Sequence, residues 1–149
     1  MAGKFFDEWQ IGDQIDHEIR RTVTETDNLL FSTMTHNPQP LHLDVEAAKE
    51  SGFGQILVNS TFTFSLLVGL SVGDTTLGTL VANLGFDKVK TPNPVFIGDT
   101  MRARSTVKEL RASKSRPGTG IVTFGHELLN QRDEIVCTCE RSALLNKSG

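Results

Sequence analysis

The residues able to do chemistry are concentrated in one stretch, Thr35–Gly69, which reads T-H-N-P-Q-P-L-H-L-D, then V-E-A-A-K-E-S-G-F-G-Q-I-L-V-N-S, then T-F-T-F-S-L-L-V-G. Pro38 and Pro40 exclude a helix and push their preceding residues to extended conformations. With the flanking leucines they predict a rigid polar loop that ends in His42. A fixed, partly desolvated imidazole suits a general base near neutral pH. The plainer role for such a histidine is to bond a backbone group. Further along, Asn59, Ser60 and Thr61 are helix N-cap residue types ahead of an apolar run. A helix start offers unpaired N–H groups and a potential that favours developing negative charge. A base beside such an oxyanion site suits proton chemistry next to a carbonyl.

Asn37 and Gln39 lie in the same loop. Their amides either bond the local backbone in turns or orient a water or a substrate carbonyl. Neither takes a proton at neutral pH. His36, His42 and Asp44 are close in sequence, but their spacing matches no strong zinc pattern, so no metal is expected. Cys137 and Cys139 share a strand face and read as small buried apolar side chains. His126 falls on the Val122, Phe124, Leu128 face and reads as a core histidine, and His17 as a structural one. The turn-rich run Arg111–Gly118 is basic. It reads as a solvated loop or as a holder of an anionic ligand. No P-loop, dinucleotide fingerprint or G-x-S-x-G elbow is present.

The elements that must position these groups follow from periodicity. Gln14–Val23 alternates weakly, as one strand. Thr26-Asp27 can cap a helix running to about Thr35, with Leu30, Phe31 and Met34 on one face. Asp44 can cap a short helix, Val45–Ser51, which Gly52 ends. Asn59–Val72 is the longest apolar helical segment and is expected to be largely buried. Leu80–Val89, Asp99–Leu110, Gly120–Asn130 and Ile135–Leu145 are strand-like. The clearest alternation puts Met101, Ala103, Ser105 and Val107 on one face. The tetrapeptide Asn130–Asp133 reads as a hairpin loop. One strand, then helices, then four strands in series predicts an α+β fold, an antiparallel sheet packed on one buried helix.

Length and charge bound the rest. The 149 residues predict a single domain, 1–149, with its own core. A net charge of −3, without a basic run, argues against a nucleic-acid partner. No apolar run approaches the ~20 residues needed to cross a bilayer. The N-terminal residues do not resemble a signal peptide, and two cysteines make no disulfide framework. A cytoplasmic protein is expected.

The P-L-H-L-D loop, the F-G-Q-I-L-V-N-S helix entry and the P-V-F-I-G-D-T-M-R segment together resemble the MaoC-like dehydratases, which include the (R)-specific enoyl-CoA hydratases. The resemblance runs from Phe5-Phe6 to Leu145. It implies a hotdog fold, a sheet wrapped around the helix Asn59–Val72, and a homodimer or a larger even assembly. It implies hydration of trans-2-enoyl-CoA thioesters to (R)-3-hydroxyacyl-CoA, or the reverse, with no metal or redox cofactor. The family motif D-x-N-P-x-H places its histidine on His42, its aspartate on Asn37, its asparagine on Gln39 and its proline on Pro40. The helix-start H-G pair falls on Asn59-Ser60. Asn37 therefore breaks the usual acid–base pair, whereas a backbone oxyanion site at Ser60 tolerates the change. The segments N-P-Q-P-L-H, V-N-S and S-K-S-R-P are also similar to a branch that includes mesaconyl-CoA and itaconyl-CoA hydratases. A methyl-branched dicarboxylic acyl-CoA would need an arginine or lysine for its second carboxylate, and Arg116 is one candidate. Two other readings share the same site, a hotdog acyl-CoA thioesterase and a non-catalytic acyl-CoA-binding protein.

Overall fold

The computed structural model describes residues 2–149. A 3-10 turn, Phe6–Glu8, leads into two short strands, β1 (Gln14–Asp16) and β2 (Arg21–Thr22). Helices α1 (Glu25–Met34), α2 (Pro40–Leu43), α3 (Val45–Glu50) and α4 (Ser60–Thr75) follow, then strands β3 (Leu80–Lys90), β4 (Thr100–Ala112), β5 (Thr119–Leu129) and β6 (Ile135–Asn146). The sheet is antiparallel, in the order β1-β4-β5-β6-β3, and β2 also pairs with β4. The α+β architecture expected from the alternation is present, and the four long strands fall within two residues of their predicted bounds.

The inner face of the sheet carries the core. Met101, Ala103, Ser105 and Val107 are all buried, as the period-two pattern required. α4 lays Leu67 and Leu70 on Met101, Ala103, Leu128, Cys137 and Cys139. Burial pushes the two thiols up to about 12 and about 11, which fits inert apolar packing. A second cluster at the far end joins Trp9 to Val107, Val122, Phe124, Ala143 and Leu145. The β5–β6 connection is the expected hairpin loop. Asn130 Oδ1 accepts from the N–H groups of Arg132 and Glu134, and Asp133 takes the left-handed conformation at φ 61°.

Two local expectations need correction. Gln14–Val23 is two strands, not one, because the pattern breaks after His17, whose ring turns into the interior. The N-cap of α1 is Thr24, not Thr26-Asp27. Thr24 Oγ1 accepts from Asp27 N–H and Asp27 Oδ2 accepts from Thr24 N–H, a reciprocal cap. Along α1, Leu30 and Met34 are exposed, Phe31 is half-buried against Phe62, and Asn28 and Ser32 are buried. α4 is largely buried, as expected: Thr63, Leu67, Leu70, Ser71 and Thr75 are inside, and Phe62, Phe64 and Leu66 pack half-buried against the core.

The interior holds a ring of polar side chains that begins and ends on the last turn of α4. Arg141, on β6, has no exposed surface. Its Nη2 donates to Thr75 Oγ1 at 3.0 Å and its Nε to His126 Nε2 at 3.1 Å. Since Arg141 Nε can only donate, His126 Nδ1 carries the proton and donates to Ser105 Oγ at 2.7 Å. The Ser105 hydroxyl then donates to His17 Nε2 at 2.7 Å, and His17 Nδ1 donates to Asp74 Oδ2 at 2.8 Å. The guanidinium sits at the negative end of the α4 dipole, which offsets part of its burial. Burial, with Arg141 and His17 adding to it, pushes the His126 imidazole down to about 3. Arg141 itself is lowered to about 10, mainly by burial.

This ring sets an acid dependence. A histidine whose folded pKa is depressed contributes its full stability above the unfolded value of about 6.5 and loses it as pH falls toward the folded value. The thermal midpoint should therefore drop steadily between pH 6.5 and pH 4. In His126→Gln, which cannot titrate, the drop over that window should be smaller. Equal slopes in parent and variant, followed by calorimetry, would exclude His126 as the source.

Candidate active site

His42 is not on a loop. It lies in the single-turn helix α2, which Pro40 opens rather than forbids. Proline at the first helical position gives up an N–H that would have no helical partner, and its fixed φ is already helical. Asp44 N–H closes the turn on the Pro40 carbonyl at 2.8 Å. The half-buried imidazole donates from Nδ1 to the Leu57 carbonyl at 2.6 Å. A carbonyl only accepts, so the proton is on Nδ1 and the Nε2 lone pair is free to act as a base.

The segment before α2 is held by helix-end chemistry. Asn37 N–H bonds the Ser32 carbonyl and His36 N–H bonds the Thr33 carbonyl, with His36 left-handed at φ 57°. That is a helix C-terminal motif that uses histidine where glycine is commoner. Asn37 Oδ1 accepts from Gln39 N–H at 3.1 Å, the turn role considered for it, and its Nδ2 group is left for other acceptors. Gln39 is exposed and caps α2 without a side-chain bond. Asp44 Oδ1 accepts from Glu46 and Ala47 N–H, so it caps α3 as expected. Among the described residues, no three histidine, cysteine or acidic side chains form a metal-sized group.

α4 begins as the residue types required. Asn59 is the N-cap, and its Oδ1 accepts from Thr61 N–H at 3.0 Å. The first-turn N–H of Ser60 has no acceptor among the described residues. Ser60 lines an apolar cavity of about 250 Å³ with Phe53, Leu57, Val58, Thr63 and Val136. The opposite wall is the segment Thr91–Val95. It is pinned where Val58 N–H meets the Val95 carbonyl and where Asn93 Nδ2 reaches the Ile135 carbonyl.

The structure thus brings Ser60, Asn59 and His42 together, by different routes. Ser60 is on the cavity surface. Asn59 is buried behind it. His42 is one hydrogen bond from the cavity-lining residue Leu57 but does not itself line the cavity. Asn37 and Gln39 sit on the approach to α2. Arg116 is elsewhere. It lies in the β4–β5 turn beyond the Ala112↔Gly120 pair, whereas the cavity meets the sheet at Val136, near the Leu128↔Cys137 pair. The lining holds no lysine or arginine. Asn28 and Ser32, which brace this site, were missed. Their only signal was a pair of polar residues one helical turn apart.

A cavity of about 250 Å³ thus opens on the first turn of a helix that lies across an antiparallel sheet. Residues 7–128 match the family described as MaoC like domain. The chain belongs to that family. It is 34% identical over 146 residues to mesaconyl-CoA hydratase of Cereibacter sphaeroides, covering 98% of this chain and 42% of that protein. The chain spans about two fifths of the length of the first curated relatives that it matches. A solved monoamine oxidase regulatory protein from Archaeoglobus is 35% identical, with a TM-score of 0.87, covering 100% of this chain and 98% of that one. A Mycobacterium tuberculosis protein described as having a double hotdog fold aligns with a TM-score of 0.88 at 24% identity. That match covers 98% of this chain and 45% of that one. The fold is therefore a hotdog, with α4 as its helix.

Asn59 makes this geometry testable without substrate. Asn59→Ala removes the acceptor for Thr61 N–H and the donor to Ser32 Oγ. It should lower stability by roughly 0.5–2 kcal/mol. Asn59→Ser, which keeps a capping oxygen, should recover most of the loss in urea unfolding. Equal losses in the two variants would mean that the cap is not what holds this helix start.

Proposed function

We propose that the protein hydrates a 2-enoyl-CoA thioester, or dehydrates the 3-hydroxyacyl-CoA, with His42 as the base. The observation that carries this is a histidine with Nδ1 tied to a carbonyl, next to a helix start whose Ser60 N–H is unpaired at the cavity. In the hydration direction, His42 Nε2 takes a proton from water as the water oxygen bonds to C3. The electrons move from the C2–C3 double bond toward the thioester oxygen. Ser60 N–H and the α4 dipole stabilise the resulting enolate. The imidazolium then returns its proton to C2, so one group serves both ends of the reaction. Asn37 in place of an acid is compatible with this, since its Nδ2 can hold the water without exchanging protons.

The likeness to mesaconyl-CoA hydratase supports a CoA thioester and, more narrowly, a methyl-branched dicarboxylic acyl group. Ser60, Thr63, Thr91 and Asn93 are the polar residues of the lining, so a second carboxylate would meet hydroxyls and amides. Arg116 has no supporting geometry within the chain. No helix among the described residues is long and apolar enough to cross a membrane. For assembly, we propose a homodimer or a larger even homo-oligomer. The support is β3, an edge strand that among the described residues pairs only with β6 and leaves Leu84 and Phe86 exposed. This chain matches about half of the double hotdog relative, which fits two copies standing where that protein has one chain.

His42→Ala is the test. Loss of a positioned base should cost on the order of 10²–10⁴-fold in kcat/KM for loss of enoyl absorbance, with the fold retained. Straight-chain and mesaconyl-type thioesters belong in the same panel, with thiol release followed in parallel. Activity within a few-fold of the parent would make His42 structural. Thiol release without hydration would move the reading to a thioesterase.

A further inference from the structure

α1 buries the polar face of its surface. Leu30 and Met34 are 53% and 74% exposed, while Asn28 and Ser32 are 2% and 0% exposed. Hydrophobic packing alone selects the opposite orientation. A buried amide is tolerated only where its donor and acceptor are both used. Asn28 uses both. Its Nδ2 donates to the backbone carbonyl of His42 at 2.9 Å, and its Oδ1 accepts from the backbone N–H of Asn59 at 2.9 Å. One partner can only accept and the other can only donate, so the amide has a single orientation. Ser32 Oγ adds a second brace, accepting from Asn59 Nδ2 at 3.2 Å.

One planar group therefore spans the residue that carries the imidazole and the residue that starts α4. Leu57 follows His42 by fifteen positions, and the Asn28 bridge does not depend on the chain between them. We propose that Asn28 is a positioning residue for the hydration chemistry. It fixes the separation between His42 and the first N–H groups of α4, and so between the proton acceptor and the oxyanion donor. It touches no reacting atom. The inference rests on the hydratase reading of His42.

The experiment compares parent, Asn28→Ala and Asn28→Asp in hydration of trans-2-butenoyl-CoA. The ring ¹⁵N shifts of His42 are recorded by NMR on the same proteins. In Asn28→Ala, kcat should fall about 10–100-fold, the scale of a small misplacement, with KM nearly unchanged. The single Nδ1–H form of His42 should give way to a mixture of tautomers. Asn28→Asp has the same shape and keeps the acceptor for Asn59 N–H, but it sets a carboxylate against the His42 carbonyl. Its acid limb in kcat/KM should move to higher pH, because a nearby negative charge favours the imidazolium. This variant carries the test if the alanine variant does not fold. Unchanged kcat and an unchanged His42 tautomer in folded variants overturn the proposal. If the parent hydrates no enoyl-CoA, the hydratase reading fails, and the tautomer shift alone then decides whether Asn28 positions His42.

Discussion

The arrangement depends on the buried hydrogen bonds that join α1, α2 and the start of α4. His42 and Asn59 approach each other across a segment with little regular structure beyond α3. Two side chains hold them there, the imidazole on the Leu57 carbonyl and the Asn28 amide on both backbones. Their bonds are made inside the protein, where an unmet partner is costly, so each geometry is strongly preferred over its alternatives. A short helix such as α2 would not hold its shape alone. Here its carbonyl end is fixed by Asn28 and its side chain by Leu57, and Pro40 removes the one N–H that would compete.

The two ends of α4 are treated in opposite ways. At the start, Asn59 satisfies one N–H and leaves that of Ser60 for the cavity. At the end, Thr75 and Thr76 meet a buried guanidinium, and Asp74 is tied to His17. Cation at the carbonyl end and open donors at the amide end both follow the dipole. The polar ring also ties β4, β5 and β6 to the helix through Ser105, His126 and Arg141. A helix held at its far end by directional bonds cannot slide along the sheet, which keeps Ser60 at one depth in the cavity.

The long strands were readable because one face is wet and the other dry, so every second residue reports its environment. The cap at Asn59 was readable because few residue types do that work. The course of α2 was not. Proline is read as a helix breaker, and only the position of Pro40 at the first turn makes it a helix starter. The burial of Asn28, Ser32 and Arg141 was also hidden. Each is a polar residue type that normally lies outside, and the partners that make burial tolerable are 14 to 66 residues away in sequence. His17 and His126 were read as structural, and both take part in that ring. Arg116 stood out by charge in a turn-rich run, and charge alone does not place a loop beside a cavity.

The central proposal is that a single titrating group, His42 in α2, manages the proton, with Asn37 where the family resemblance places an aspartate. The direct measurement is the pH dependence of kcat/KM for enoyl-CoA hydration by the parent and by Asn37→Asp. The account predicts one ionisation on the acid side for the parent, with rate rising as the imidazole becomes neutral. It predicts the same limb moved to higher pH in Asn37→Asp, where the added carboxylate favours the imidazolium. A parent profile with a second, carboxylate-dependent limb, and an Asn37→Asp variant inactive on every enoyl-CoA, would contradict it.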